Sequence, residues 1–553
     1  MAGWGVGAVM SRFASRLLST ALFVAASIGP QAVSAAALLS DVTVTQGALR
    51  GSPRDASGVL AFKGIPYATP PLGAHRWRPP RPPLPWTGVR DATAFGPRCM
   101  TLAGRGLAQL SGPASEDCLT LNIWTAAESP NARRPVMVWI HGGAFQFGAG
   151  AEPNTDGQRL AAKGVVLVSL NYRLGVLGFL AHPDLDREGA PSGNFGLQDQ
   201  IAALEWVRSN IARFGGNPND VTIFGESAGA MSVGLLMTSP KAKGLFQRAI
   251  GESGALWDSG HGSIRTHAEA LDRGRALADR LGGGTVAGLR AIPAEELTTK
   301  TVWTLASDPV TQAFSPSIDG FIVPDAPAKV FAEGRQARVP LLAGWNGAEG
   351  VLFMGWSLPH RTASEFYAAA AAKFGAEHSD VFARLYPAES DAQLRASAEA
   401  VTGDLVIREQ VWEWLQTHVR TGHSPVFAYQ FDRRSPYAPV PIHTAEIDFV
   451  FGTLRPQRPA APGAAPDAGD RALSDQMMSY WVNFARNGDP NGSGLPLWPA
   501  YRADQPQTMI FGPVTAAGPE GVTSRLRFLG TFRTNGRLPE AWRDPPKLPG
   551  AAP

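Results

Sequence analysis

Cysteine is nearly absent from this sequence. Only Cys99 and Cys118 occur among 553 residues, and the H-E-x-x-H pattern of zinc-dependent hydrolases occurs nowhere. Two cysteines cannot by themselves build a structural zinc site, and without the paired histidines there is no basis for a catalytic zinc ion. The sequence therefore gives no support for metal catalysis, and no cofactor is expected.

Net charge is also low. The chain has 50 Lys and Arg against 47 Asp and Glu, a formal charge of +3, and its basic residues are scattered. Because nucleic-acid surfaces need clustered basic residues, no nucleic-acid partner is expected. The hydrophobic share of 44% and the charged share of 18% are ordinary for a globular enzyme.

A run long enough to span a membrane is missing from the N-terminus. The apolar segment from about Leu17 to Ile28 follows Arg12 and Arg16 and precedes the small-residue stretch Val33 to Ala37. It is shorter than the roughly 20 residues of a membrane-spanning helix, although a membrane anchor is the alternative interpretation. We interpret residues 1–37 as a secretory signal, which predicts a secreted or periplasmic protein.

Export bears on the two cysteines, because disulfides persist outside the cytoplasm. A bond between Cys99 and Cys118 would close a loop of about 20 residues, a size at which a disulfide contributes roughly 3 kcal/mol. We therefore expect the two cysteines to be bonded, rather than to be two unrelated buried thiols.

Residues 38–540 are predicted to form one α/β domain. Short, continuously apolar runs recur along it, which is typical of strands buried on both faces. Helical spacing of apolar residues from Leu197 to Phe214 separates two of these runs, so we expect a mostly parallel sheet flanked by helices. Ala-rich stretches at about 263–300 and 360–419 predict helical insertions. Proline predicts a surface loop at 455–470 and a Pro-rich tail at 541–553. The predicted strands are Leu119 to Trp124, Val136 to Ile140, Val165 to Leu170, Val221 to Phe224, Ala249 to Gly251, Val339 to Ala343 and Val426 to Phe431.

The motif Gly225-Glu-Ser-Ala-Gly229 matches G-x-S-x-G. It follows a predicted strand and precedes a run of small residues, which is the strand-turn-helix context of a nucleophile elbow. Small residues are needed there because the turn brings the backbone close to its neighbours. Ser227 is therefore the candidate nucleophile.

A serine nucleophile needs a histidine base and an acid that orients it, and in folds with this elbow they follow in the order serine, acid, histidine. His443 comes after a predicted strand and a proline-rich loop, so we expect it at the carboxyl edge of the sheet. The remaining histidines after Ser227 lie in helical or polar stretches and are expected at the surface. They are His261, His267, His360, His378, His418 and His423.

Glu349 is the candidate acid, because the strand Val339 to Ala343 leads directly into its loop. Asp319 is the alternative, although its Asp-Gly sequence reads as a turn.

The negatively charged oxygen of an acyl-transfer intermediate needs fixed hydrogen-bond donors. His141-Gly142-Gly143 directly follows a predicted strand, so we expect the backbone N–H groups of Gly142, Gly143 and Ala228 to form an oxyanion hole. Gly251-Glu-Ser253-Gly-Ala255 resembles a second elbow, but Ala255 replaces the final glycine, so a structural role is favoured for Ser253.

Taken together, these motifs resemble those of the type-B carboxylesterase and lipase family, which includes bacterial p-nitrobenzyl esterases and cholinesterases. The resemblance covers about Val42 to Phe532. It implies the α/β-hydrolase fold, a triad of Ser227, Glu349 and His443, a disulfide at Cys118 that Cys99 completes, and a supporting role for Ser253 behind the acid. The motifs that carry it are Phe62-Lys-Gly-Ile-Pro-Tyr67, Ser115-Glu-Asp-Cys-Leu-Thr-Leu-Asn122, His141-Gly-Gly-Ala-Phe145, Asn171-Tyr-Arg173, Phe214-Gly-Gly-Asn-Pro218, Gly225-Glu-Ser-Ala-Gly229 and Phe449-Val-Phe-Gly452.

The function expected from these residues is hydrolysis of small-molecule carboxylic esters through an acyl-enzyme on Ser227. Two alternatives stay open at the level of sequence, an interfacial lipase and a catalytically inactive binding module of the same fold. Amide or carbamate cleavage would use the same atoms.

Overall fold

The computed structural model describes residues 40–101, 112–255, 258–259, 262–301, 314–455, 463–534 and 539. The predicted signal segment at 1–37 and the predicted tail at 541–553 lie outside these residues, as does part of the predicted loop at 455–470. Their roles stay predictions.

A ten-stranded sheet forms the centre of the structure. Its strands in chain order are β1 (Leu60–Pro66), β2 (Thr120–Thr125), β3 (Arg134–Ile140), β4 (Val166–Leu170), β5 (Gly216–Glu226), β6 (Arg248–Glu252), β7 (Leu341–Asn346), β8 (Val426–Phe431), β9 (Gln507–Phe511) and β10 (Thr515–Pro519).

The strands are arranged in the order β1-β2-β4-β3-β5-β6-β7-β8-β9-β10. From β4 to β9 every neighbouring pair is parallel, while β1, β2 and β10 are joined to the sheet by antiparallel pairing. The register aligns Gly225 of β5 with Ile140 of β3, and Glu226 with Glu252 of β6. The carboxyl ends of these strands therefore meet at one edge, where the following loops lie side by side.

The described residues form sixteen α-helices. They are α1 (Gln158–Ala162), α2 (Gly175–Phe179), α3 (Pro183–Asp186), α4 (Phe195–Asn210), α5 (Ala228–Thr238), α6 (His267–Leu281), α7 (Val286–Ala291), α8 (Ala294–Lys300), α9 (Pro327–Ala332), α10 (Ala363–Phe374), α11 (Ser379–Leu385), α12 (Asp391–Gly403), α13 (Glu409–Thr421), α14 (Ile447–Val450), α15 (Ala468–Asn487) and α16 (Thr523–Gly530), all within the described ranges.

Shorter elements complete the described structure. Small separate sheets are formed by Asp41–Val44, Gly47–Arg50 and Val89–Asp91, by Arg98–Cys99 with Ala114–Ser115, by Asp258–Ser259 with Gly262–Ser263, and by Arg265–Thr266 with Ser317–Ile318. The 3-10 turns are Gly73–His75, Pro130–Ala132, Pro153–Thr155, Ile211–Phe214, Pro240–Ala242, Glu349–Trp356 and Ala376–His378, and a π-helix spans Asp404–Arg408.

The sheet is buried on both faces. Along β3, Val136, Val138 and Ile140 pack into one apolar cluster, while the alternating residues Met137 and Trp139 pack into another on the opposite face. Successive side chains of a strand point to opposite faces, so both faces are covered. This explains the continuous apolar runs in the sequence and confirms the predicted mostly parallel α/β architecture.

Strand β1 was not predicted from the sequence. Lys63, Gly64 and Pro66 interrupt its apolar residues, and the pairing register shifts between Phe62 and Ile65. Gly64 has a φ of +65°, and its backbone passes so close to the loop at Ala94 to Gly96 that a Cβ atom would be 2.8 Å from the Ala94 carbonyl oxygen. The strand therefore bends through a bulge, and such a bulge hides the alternating pattern.

The predicted disulfide between Cys99 and Cys118 is present, with the Cα atoms 4.9 Å apart. It links the small sheet at Arg98–Cys99 to the start of β2.

In the part of the chain that the structure describes, no helix combines the length and the apolarity needed to cross a bilayer.

Candidate active site

Ser227 lies at the sharp turn between β5 and α5. Its φ of 55° and ψ of −122° are unusual for a residue with a side chain, and such strain is held only by tight surroundings. The Ser227 N–H donates to the Glu252 carbonyl oxygen at 2.8 Å. A Cβ atom at Gly229 would lie 2.0 Å from the Ile140 carbonyl oxygen, and one at Gly225 would lie 2.5 Å from it. The small residues of the motif are therefore required by the approach of β3.

Glu349 and His443 are brought together from two loops. Glu349 follows β7 and is fully buried, and its Oε2 lies 2.7 Å from His443 Nδ1. The other carboxylate oxygen accepts the Asn346 N–H at 2.7 Å. Burial raises the pKa of Glu349, but the charge of His443 and the hydrogen bonds outweigh it and hold the pKa below its ordinary value.

The loop that carries His443 is fastened to the loop that carries Glu349. The Ala348 N–H donates to the Pro441 carbonyl oxygen at 2.9 Å. The Asn346 side chain donates to the Ile442 carbonyl oxygen at 2.8 Å. These bonds fix the imidazole ring relative to the carboxylate, which is what an orienting acid requires.

The second nitrogen of His443, Nε2, faces the residue next to the nucleophile. It lies 3.2 Å from Glu226 Oε1, and it has no hydrogen-bond partner among the described residues, so it makes no hydrogen bond to the Ser227 hydroxyl. In enzymes without substrate such bonds are often long and tighten in the complex. Burial lowers the pKa of His443, but the carboxylates of Glu226 and Glu349 outweigh it and raise the pKa to about 9.

Gly142 lies beside this group. A Cβ atom at Gly142 would be 3.1 Å from Ser227 Cβ and 2.7 Å from the Glu226 carbonyl oxygen. Gly143 has a φ of +100°, and its carbonyl oxygen accepts the N–H groups of Gln146 and Phe147. Only a residue without a side chain fits either position. Within the described ranges, the N–H groups of Gly142, Gly143 and Ala228 donate no hydrogen bond, so they are available to a ligand.

His141 stabilises the loop without taking part in its chemistry. Its ring stacks on Tyr172 with centroids 4.4 Å apart, and its Nδ1 lies 2.9 Å from the Gly142 carbonyl oxygen. Burial lowers its pKa to about 4, so the ring is neutral at ordinary pH.

Ser253 is linked to the candidate acid only through other residues. Its hydroxyl donates to Glu446 Oε1 at 3.0 Å, and Glu446 Oε2 accepts from the Asn346 side chain. Asn346 in turn donates its N–H to Glu349. Two residues therefore separate Ser253 from the carboxylate that it was predicted to support.

Glu226 and Glu446 were missed by sequence reasoning. Both are fully or almost fully buried beside His443, and burial raises the pKa of each, that of Glu446 to about 7. Glu226 is the first of the two variable residues of the G-x-S-x-G motif and could have been noticed there. Glu446 follows His443 by three residues, but that spacing alone indicates no function.

The alternative candidates are placed elsewhere. Asp319 Oδ1 accepts the N–H groups of Phe321, Ile322 and Val323, as expected for a turn. His418 was expected at the surface, and that expectation is wrong. It is fully buried on α13, with Nε2 2.8 Å from the Val339 carbonyl oxygen, because this face of α13 packs against β7. His261 lies outside the described residues.

The described side chains around this site form no metal-binding cluster. Among the described residues, no group of three or more His, Cys, Asp or Glu side chains is arranged to hold a metal ion.

Known proteins resemble this chain over most of its length. The model of the carboxylesterase family matches residues 39–521. The chain is 36% identical to the fumonisin B1 esterase of Sphingopyxis macrogoltabida over 94% of each chain. It is 38% identical to the para-nitrobenzyl esterase of Bacillus subtilis over 85% of this chain and 94% of the relative.

Solved structures are similar as well. A PNB esterase superimposes with a TM-score of 0.76 at 36% identity, covering 88% of this chain and 99% of the other. A carboxylesterase of Geobacillus stearothermophilus superimposes with a TM-score of 0.75 at 34% identity, with the same coverage. These neighbours share the α/β-hydrolase fold. The chain therefore belongs to the carboxylesterase family and is a carboxylic ester hydrolase.

Proposed function

We propose that this protein is an exported serine carboxylesterase that cleaves small-molecule esters through an acyl-enzyme on Ser227. His443 is the general base, Glu349 orients it, and the N–H groups of Gly142, Gly143 and Ala228 form the oxyanion hole. The observation that carries the proposal is the 2.7 Å hydrogen bond between Glu349 and His443, on a ring whose other nitrogen faces the elbow of Ser227.

In the first half of the reaction, Ser227 Oγ attacks the carbonyl carbon of the ester. His443 Nε2 accepts the serine proton and then donates it to the departing alcohol. The buried Glu349 carboxylate accepts the Nδ1–H of His443, which fixes the tautomer with a free Nε2 and stabilises the imidazolium that forms. Water then attacks the acyl group, with the same ring as base.

The oxyanion is met by backbone alone. Ala228 is the first residue of the eleven-residue helix α5, so its N–H points out of a helix N-terminus, where negative charge is stabilised. Gly142 lies against Ser227 Cβ, which brings the loop after β3 within reach of the same oxygen. Loss of one such donor typically lowers kcat by roughly 100- to 1000-fold.

Export is supported by the N-terminal sequence pattern and by the disulfide between Cys99 and Cys118, since such bonds persist in oxidising compartments. Sequencing the N-terminus of the protein secreted by a bacterial host tests this part. We expect a mature chain that begins after Ala35 or Ala37, whereas a retained Met1 in the exported fraction would contradict a cleaved signal.

Turnover is best tested with a panel of esters that vary in acyl length and alcohol bulk, measured for the wild type and for Ser227→Ala. Because the hydroxyl is the nucleophile, we expect Ser227→Ala to lose turnover by at least about 10⁴-fold on every ester while remaining folded. Near-normal turnover by folded Ser227→Ala would mean that another residue is the nucleophile. A jump in activity above the solubility limit of a long-chain ester would instead favour an interfacial lipase.

A further inference from the structure

The segment at residues 346–350, here called the acid loop, joins the end of β7 to the 3-10 turn that begins with Glu349. Asn346 is the last residue of β7, and beyond it the Gly347 N–H donates to the Phe431 carbonyl oxygen at 2.8 Å and the Ala348 N–H to that of Pro441 at 2.9 Å, which leaves the carbonyl oxygens of Asn346 and Gly347 and the Gly350 N–H. Buried backbone N–H and C=O groups need hydrogen-bond partners, so these remaining groups of the acid loop must be paired outside the sheet.

A long helical rod supplies partners for these three groups, on both sides of Glu349. Helix α12, the π-helix and α13 follow one another without a break from Asp391 to Thr421. On one side of Glu349, Arg408 Nη2 donates to the carbonyl oxygens of Gly347 at 2.7 Å and Asn346 at 3.2 Å. On the other side, the Gly350 N–H donates to Glu399 Oε1 at 2.9 Å.

The rod and the acid loop pack at backbone distance. A Cβ atom at Gly350 would lie 2.0 Å from the Glu399 carbonyl oxygen. A Cβ atom at Gly403 would lie 2.8 Å from the Gly350 nitrogen and 3.1 Å from Glu349 Cβ. Glycines at both positions allow this approach, so a small shift of the rod would move the carboxylate.

Arg408 reaches the acid loop from the last position of the π-helix. All of its residues, Asp404 to Arg408, are buried, and Asp404 and Arg408 are four residues apart, so their side chains lie on the same side of the rod. Asp404 Oδ1 accepts from Arg408 Nη1 at 2.9 Å. Asp404 Oδ2 accepts from the Tyr386 hydroxyl at 2.9 Å and forms an ion pair with Arg525.

A buried ion pair of this kind is weak evidence for a gain in stability, because desolvation offsets the attraction between the charges. The side chains of Arg408 and Asp404 are 3% and 0% exposed. What the arrangement does supply is a fixed direction, since Asp404 holds one edge of the planar guanidinium group and the acid loop receives another.

We propose that Arg408 and Glu399 are positioning residues that hold the Glu349 carboxylate in line with His443 by fixing the backbone on both sides of it. This inference rests on the proposed function, in which Glu349 orients the base. The charge of Arg408 also helps, after that of His443, to keep the pKa of Glu349 low.

The test compares Arg408→Met and Arg408→Lys with Arg525→Met. Arg525 is a matched control, because it also pairs with Asp404 but has no contact with the acid loop among the described residues. Misplacing a catalytic group by about 1 Å costs on the order of 100-fold in rate. We expect Arg408→Met to lower kcat by roughly 10- to 100-fold, Arg408→Lys to recover part of it, and Arg525→Met to stay within about twofold of wild type.

A spectroscopic readout separates positioning from general loosening. The Nδ1–H proton of His443, bonded to Glu349, should give a low-field proton resonance that weakens or shifts in Arg408→Met and remains in Arg525→Met. Wild-type kcat and an unchanged resonance in folded Arg408→Met would overturn the proposal, as would an equal loss in Arg525→Met.

Glu399 gives an independent variant if Arg408→Met does not fold, because its side chain is 23% exposed. Glu399→Gln keeps an oxygen that can accept the Gly350 N–H, and Glu399→Ala removes it. We expect a several-fold loss of kcat in Glu399→Ala and recovery in Glu399→Gln; wild-type kcat in Glu399→Ala would overturn the proposal.

Glu349→Gln, measured beside these variants, distinguishes failure of the positioning role from failure of the proposed triad. If Glu349→Gln collapses turnover while the Arg408 and Glu399 variants do not, only the positioning role fails. If Glu349→Gln itself keeps wild-type turnover, the proposed triad fails.

Discussion

The carboxyl edge of the sheet and the aromatic cluster between α10, α11, α12 and α16 are both buried, but they are built from opposite kinds of residue. At the sheet edge, Glu226, Glu252, Glu349, His443 and Glu446 are almost completely shielded from solvent. The cluster of α10 to α12 and α16 contains apolar and aromatic side chains, with Phe382 near its centre.

The comparison shows that burial has different effects on stability in the two regions. Burying a polar group costs free energy unless every polar atom is paired, whereas burying a phenyl ring stabilises directly. The Glu252 side chain has no role in the proposed reaction, yet its buried Oε1 has a partner, the Trp481 indole N–H, which donates to it at 2.7 Å. The sheet edge is therefore expected to govern rate, and the aromatic cluster to govern stability.

The largest effect expected on the rate side of this comparison is that of Glu349→Gln. The amide cannot hold His443 in the same tautomer and cannot stabilise the imidazolium, so we expect kcat to fall by about 10³- to 10⁴-fold. Steady-state kinetics measures kcat, and a thermal melt of the same variant measures its stability. A melting temperature that collapses while kcat survives would break the comparison.

On the stability side, Phe382→Ala is expected to reduce the free energy of unfolding by about 3 to 5 kcal/mol. Phe382 packs against Phe374 and Tyr386, with ring centroids 5.3 and 4.8 Å apart. Urea denaturation followed by fluorescence measures the change. Phe95→Ala is the control, because Phe95 is 39% exposed and little stability should be lost there. A large loss of kcat in folded Phe382→Ala would show that the two regions are not separable.

The smallest expected effect sharpens the electrostatic part of the comparison. His443 must be neutral to accept a proton, and its pKa is raised to about 9, so kcat/KM should rise with pH up to that region. Replacing Glu226 by Gln removes a carboxylate that favours the imidazolium. The pKa of His443 should then fall, and the acid limb of the profile should move to lower pH by about one unit. An unmoved limb would mean that Glu226 is already protonated.

Sequence reasoning was sufficient wherever the position of a residue depends on its neighbours in the chain. Ser227 and Gly142 lie in loops that directly follow strands, so a local motif fixed their place at the sheet edge. Glu349 and His443 required only the rule that the carboxyl ends of parallel strands meet. The fold class followed from the same runs of apolar residues.

Sequence reasoning stopped where long-range packing decides. Arg408 is buried because it bonds to Asp404 and to the backbone of the acid loop, about 60 residues before it in the chain, and no local pattern predicts those contacts. His418 looked like a surface residue, but α13 buries it against β7. Glu446 accepts hydrogen bonds from Asn346 and Ser253, which are distant from it in sequence, so its place in the site could not be predicted from local pattern.

The most direct measurement of the central claim is covalent labelling by an organophosphonate ester, followed by peptide mass spectrometry. The account predicts one phosphonyl group per chain, carried by the peptide that contains Ser227, with labelling slowed at least about 10³-fold in Glu349→Gln. Labelling of a different serine, or labelling of Ser227 at the same rate in Glu349→Gln, would contradict it.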